Sequence, residues 1–132
     1  MGITPEDFLN VAKLIPSLPE KKCSREICFR TAINRYYYGI LHWVQQRYGI
    51  VVPGTQIKQY HKYVKDEIRS REDIRDLILK EFDNLEKKRV DADYKIDQKI
   101  NQSVLDDARK LQETIIQRVE QGVPFDIGDM WE

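Results

Sequence analysis

Only two cysteines, Cys23 and Cys28, occur in 132 residues. That scarcity argues against a disulfide-stapled secreted scaffold, which is dense in cysteine. It also argues against a zinc site, because no second Cys pair or nearby histidine completes one. The two cysteines stand five positions apart, about 500° around a helix, so they do not share a face. Buried, reduced thiols are the expectation. No apolar run approaches the ~20 residues of a membrane span. The first residues, "MGITPEDF", read as a helix start and not as a secretory signal. Together these predict a cytoplasmic protein with no membrane partner. Net charge is missing as well, with 22 basic residues against 22 acidic ones, so no overall basicity points to nucleic acid. There is no phosphate-cradling glycine loop, no HExxH and no Ser-His-Asp arrangement in motif context. No metal and no cofactor are expected.

What remains is 41% hydrophobic and 33% charged, the composition of one globular domain with a real core. The periodicity predicts an all-α protein, an up-and-down helical bundle of about five helices over 1–121, followed by an acidic tail over 122–132. Thr4-Pro5-Glu6-Asp7 is a helix start, with Thr as N-cap, Pro in the first turn and acids at the positive end. That helix ends before Pro16. Ser24 caps a second helix that runs to about Tyr48, with Gly49 as its stop. Ile33, Tyr36, Tyr37, Ile40, Val44 and Tyr48 share one face of it, which marks it as the central helix. Ala32 and Gly39 form a small-residue stripe where another helix, of this or a second subunit, can come close. Thr55 is read as the start of a third helix with Ile57, Tyr60, His61, Val64 and Ile68 inward. Ser70 with Asp73 resembles a capping box for a fourth, carrying Ile74, Leu77, Ile78, Leu85 and Val90. Val104, Ala108, Leu111, Ile115 and Val119 give the last helix its period, and Gly122 and Pro124 end it.

Charge is distributed unevenly. Lys21, Lys22, Arg25, Arg30 and Arg35 face a single acid, Glu26, between positions 21 and 37, whereas Glu120, Asp126, Asp129 and Glu132 meet no base. Solvated surfaces and an interaction between the two regions are both open. Phe125, Ile127 and Trp131 sit among the tail acids and suit docking on the basic stretch of the same or a second subunit.

Two segments carry chemistry that packing alone does not require: "RTAINRYYYGILH" from Arg30 to His42, and "RVDADY" from Arg89 to Tyr94. Arg35 and His42 are seven apart and nearly eclipsed, with Tyr38 on the same side. Such a stripe can cleave RNA without metal, the histidine moving a proton and the arginine offsetting charge on the phosphorane. Arg89 and Asp93 are four apart and can pair, or Asp93 can accept from Arg35 or Arg30 and fix helix packing. Arg89 and Arg35 can instead grip a phosphate while Tyr94 stacks on a base. His61, with Ile57 and Val64, reads as a satisfied, half-buried histidine.

Arg35-Tyr36-Tyr37, an isolated His61 one helix later, and Arg89-x-x-Ala92-Asp93-Tyr94 resemble the HEPN domain of prokaryotes, over about Thr4 to Val119. The resemblance implies a helical bundle, a homodimer, and pairing with a small nucleotidyltransferase. It also implies RNA or nucleotide as ligand, in a toxin–antitoxin or defence setting. Many such proteins are metal-independent endoribonucleases with an Arg-x4–6-His motif on a later helix. Arg35 and His42 have that spacing. Counted from Arg89, however, the position of the histidine is occupied by Tyr94. The candidate catalytic residues are therefore Arg35, His42 and Arg89, and the candidate ligand-binding residues are Arg30, Arg35, Tyr38, Arg89, Asp93 and Tyr94. The resemblance also makes Tyr94 a candidate acceptor of nucleotidyl modification. A purely structural dimerisation partner is the remaining alternative.

Overall fold

The computed structural model describes residues 4–18 and 24–122. Five α-helices account for most of them: α1 (Pro5–Leu14), α2 (Arg25–Arg47), α3 (Tyr60–Ser70), α4 (Glu72–Tyr94) and α5 (Gln102–Gln121). Short 3-10 turns occupy Ile15–Ser17 and Gly54–Gln59, and no strand occurs among the described residues. The result is an all-α bundle, with α1, α4 and α5 packed around α2.

Local chemistry sets most boundaries. Thr4 and Asp7 form a reciprocal capping box at α1. The Ser24 hydroxyl accepts from the Ile27 amide to begin α2. Gly49 and Gly122 stop α2 and α5 at φ of 60° and 66°, where a Cβ is disfavoured. Ile33, Tyr36, Tyr37, Ile40 and Val44 of α2 are buried, with Phe82 and Leu85 of α4 and Ile115 of α5 in the same core.

The small-residue stripe of α2 is filled by α1 of the same chain. A Cβ added to Gly39 would stand 2.6 Å from Leu9 Cδ2 and 3.1 Å from Phe8 Cβ. Glycine is thus what lets the two helices touch, and the close partner needs no second subunit.

Several expectations are corrected. Ile57 lies on the 3-10 turn, exposed, and not on the inner face of α3. Ser70 ends α3 and does not cap α4. The break is Arg71, whose backbone turns extended and whose guanidinium holds Asp73 and the Tyr48 carbonyl. In α5 the buried positions are Leu105, Ala108, Gln112, Ile115 and Val119, while Val104 and Leu111 are only half-buried. A helix packed against both α2 and α4 buries a wider stripe than a single seam predicts. Val90 is likewise half-buried. Cys28 is buried, as expected, but disulfide-bonded and not reduced. Cys23 and the tail residues 123–132 lie outside the described residues.

Candidate functional site

Arg89 organises the site. It lies near the end of α4, where the 3.6-residue repeat points it inward at α2, and only 6% of its surface is exposed. Its guanidinium carbon stands 5.0 Å from the ring centre of Tyr37, 5.6 Å from Tyr38 and 5.9 Å from Tyr94. Three aromatic faces replace much of the water that a cation loses on burial. Asp93, one turn on, lies 3.6 Å from Nη1. Burial alone would lower the Arg89 pKa. Tyr38, Tyr37, Asp93 and a hydrogen bond with Tyr94 outweigh it and raise the pKa, so the group is a fixed cation. Its Nε donor nevertheless has no hydrogen-bond partner among the described residues, a state that costs roughly 1–3 kcal/mol in a buried polar group.

Beside Arg89 lies a second cluster. The Tyr37 hydroxyl meets His61 Nε2 and donates to Glu86 Oε2 at 3.3 Å. Glu86 also takes Lys65 Nζ at 2.7 Å and Arg69 at 3.6 Å. Burial and the Glu86 charge push the Tyr37 hydroxyl far above its ordinary pKa, so it remains a neutral donor. Burial, Arg89 and Lys65 together lower the His61 pKa against the opposing pull of Glu86. His61, Lys65, Arg69, Glu86, Arg89 and Lys95 border one groove of about 490 Å³.

The other sequence candidates fall elsewhere. Arg30 is a helix cap. Its Nη1 donates to the carbonyls of Asp91, Ala92 and Lys95, at 2.9 to 3.3 Å, its Nη2 reaches the Gln98 carbonyl, and Glu26 holds it from behind. A cation at the negative end of α4 is thereby fixed in place. Asp93 takes the Asn34 amide at 2.9 Å and the Arg89 ion pair, and not Arg30 or Arg35. Arg35 and His42 do share a side of α2, but Phe8 of α1 stands against both. The Arg35 guanidinium lies 5.8 Å over its ring, and His42 stacks on it at 5.2 Å. His42 also stacks on Tyr60 at 5.1 Å, and the Tyr60 hydroxyl meets Nδ1 at 2.8 Å. Burial lowers the His42 pKa as well.

The structure thus brings Tyr38, Arg89, Asp93 and Tyr94 together and leaves Arg30, Arg35 and His42 outside that cluster. Sequence reasoning overlooked Lys65 and Glu86. The spacing of four between His61, Lys65 and Arg69 was the available signal, since it places all three on one face of α3. No group of His, Cys, Asp and Glu among the described residues can hold a metal ion. Among the same residues, no helix is long and apolar enough to cross a membrane.

Both histidines have folded pKa values below the ordinary 6.5. A group of this kind contributes its full stability above the unfolded pKa and loses it as pH falls through the folded value. The thermal unfolding midpoint is therefore expected to drop as pH is lowered below 6.5, the ordinary histidine value. His61→Gln should flatten that decline, as followed by circular dichroism.

No family model matches the chain, and neither the curated proteins nor the solved structures give a match.

Proposed function

We propose that this chain is a HEPN-type binding module that takes a phosphate of RNA or of a nucleotide at Arg89. The observation that carries the proposal is Arg89 itself: a permanently charged, deeply buried guanidinium, with an unpartnered donor, at the edge of a groove bordered by Lys65, Arg69 and Lys95 and by the acids they pair with, Glu86, Asp83 and Asp91. A buried arginine that serves packing alone normally has all its donors satisfied. Tyr94, 72% exposed and next to the guanidinium, offers a face on which a base can stack. On the HEPN resemblance, the protein would act in the cytoplasm as a homodimer, with a small nucleotidyltransferase as partner, in a toxin–antitoxin or defence system.

The test is binding of a labelled single-stranded RNA, and of ATP, to the wild type, Arg89→Met and Tyr94→Ala. Methionine keeps much of the arginine volume without the charge. Affinity should fall at least tenfold in Arg89→Met, about 1.4 kcal/mol, and more modestly in Tyr94→Ala. The log–log salt slope should shrink by about one phosphate contact in Arg89→Met. Equal affinity and equal slope in all three proteins would end the proposal.

A metal-independent endoribonuclease is the second reading, and one observation favours it: the histidine that shares the Arg89 groove is His61. A neutral His61 beside a cation has the form of a proton acceptor next to an electrostatic clamp. That reading requires RNA cleavage in chelator that disappears in His61→Ala, whereas His42→Ala should cleave normally.

A further inference from the structure

His61 stands beside Arg89 with one ring nitrogen engaged and the other idle. Its Nε2 meets the Tyr37 hydroxyl and lies 3.6 Å from Glu86 Oε2. Tyr37 has a single hydroxyl proton and donates it to Glu86. The Tyr37 oxygen therefore accepts from His61, and the neutral ring carries its proton on Nε2. Nδ1 is then a bare lone pair with no hydrogen bond among the described residues. It belongs to a side chain 31% exposed at the edge of the Arg89 groove. The imidazole and the guanidinium also share two neighbours. The ring centre of His61 is 5.3 Å from that of Tyr37 and 5.8 Å from that of Tyr38, the same rings that flank Arg89.

The charges facing His61 explain why that lone pair carries no proton. Tyr37 and Tyr38 of α2 bring no charge. Lys65 of α3 and Arg89 of α4 are cations. Glu86 is the carboxylate that faces the ring, and Lys65 and Arg69 already hold it. Asp83 and Asp91, also on the groove, pair with Arg69 and Lys95, and Lys87 adds a further cation. The free site thus has an excess of positive charge, which disfavours an imidazolium. Burial acts in the same direction and, with Arg89 and Lys65, holds the ring below 6.5.

We infer that His61 is the second phosphate-binding group of this site, taking a solvent proton at Nδ1 as the anion enters and donating that N–H to a phosphate oxygen. The inference rests on the phosphate reading of Arg89 and adds that binding and protonation are one event. A phosphate in the groove supplies the negative charge that the free site lacks, so the imidazolium becomes favourable only then. One N–H bond forms, at Nδ1, and its proton comes from solvent. Nε2 keeps its own proton and its place on Tyr37. By linkage, a group that gains a proton on binding makes affinity rise as pH falls towards its pKa in the complex.

Unlabelled oligouridylate with hydroxyl ends is the probe, because its own charge is constant over the histidine range of about pH 5–8. Calorimetric titration of the full-length protein, in two phosphate-free buffers of different ionisation enthalpy, reads affinity and proton uptake together. In the wild type Kd should fall several-fold from about pH 8 to about pH 6, with net proton uptake. The side-chain amide of His61→Gln can keep the Tyr37 bond. In that variant the pH dependence and the uptake should both vanish while binding through Arg89 remains. Arg89→Met should lose affinity at every pH. Should His61→Gln disturb folding, His42→Gln leaves His61 as the single histidine, and its ring can be read directly. The Nδ1 15N resonance should move from the unprotonated to the protonated position as oligouridylate saturates the protein. An Nδ1 that stays unprotonated at saturation, or binding that is independent of pH and takes up no proton, would overturn the inference and leave the Arg89 reading standing. A pH dependence undiminished in His61→Gln would overturn it too, by placing the proton elsewhere. No binding at any pH would remove the phosphate reading and this inference together.

Discussion

Gly39→Val is expected to destabilise the protein by about 3 kcal/mol, the upper range for overpacking a filled site. The methyl-free surface of Gly39 is where α1 rests. A Cβ alone would already meet Leu9 Cδ2 at 2.6 Å, Leu9 Cγ at 3.0 Å and Phe8 Cβ at 3.1 Å. Leu9 can turn its far end away, but Phe8 Cβ is tied to the α1 backbone and cannot. A single methyl is therefore less damaging than a branched side chain. Gly39→Ala also gains up to ~1 kcal/mol of helix propensity, so it should fall well short of the valine variant. Urea unfolding of the three proteins checks the order. A valine variant as stable as the wild type would mean that α1 does not bear on α2 in this register. Because Phe8 stacks on His42 and carries Arg35, lifting α1 should also expose His42. Its pKa would then move back up towards 6.5, which a histidine NMR titration can follow.

Arg89→Ala is expected to lower stability by about 2 kcal/mol and to weaken ligand binding at least tenfold. The stability loss has identifiable sources. The guanidinium covers the rings of Tyr37, Tyr38 and Tyr94, each such contact being worth roughly 0.5–2 kcal/mol when partly desolvated, and its aliphatic stem packs in the interior. Asp93 keeps the Asn34 amide and a side chain one-quarter exposed, so it is not stranded as a buried charge and the loss stays below that of breaking a sealed ion pair. Arg89→Met separates the two consequences. It restores apolar packing against the tyrosines, and should recover most of the stability while affinity stays at least tenfold reduced. If methionine recovers binding along with stability, Arg89 is a packing residue and the structural-partner alternative stands.

The contrast between α1 and the α3–α4 junction explains what could be foreseen from sequence. Thr4, Asp7, Ser24, Gly49 and Gly122 act within one helical turn of themselves, so their meaning is complete in the local sequence. The Ser70-to-Asp73 spacing also looked local, but Arg71 decides that junction through the Tyr48 carbonyl, 23 positions away. At the candidate site, Arg89, Asp93 and Tyr94 were legible because they share the last turns of α4. The Tyr37–His61–Glu86 cluster joins residues 24 and 49 positions apart, and no spacing rule announces it. The Arg35–His42 stripe has the helical geometry that its spacing predicts. That Phe8 stands against both side chains was not legible, because Phe8 belongs to another helix, which Gly39 lets come close.

The most direct test of the account is to watch Arg89 itself during ligand addition. Arginine Nε–H signals can be followed in a 1H–15N spectrum while single-stranded RNA or inorganic phosphate is titrated in. The Arg89 signal, identified by its absence in Arg89→Met, is predicted to shift progressively and to saturate with the same midpoint as binding, ahead of exposed arginines such as Arg47. If Arg89 stays fixed while only surface arginines respond, the buried guanidinium holds the helices together and takes no phosphate.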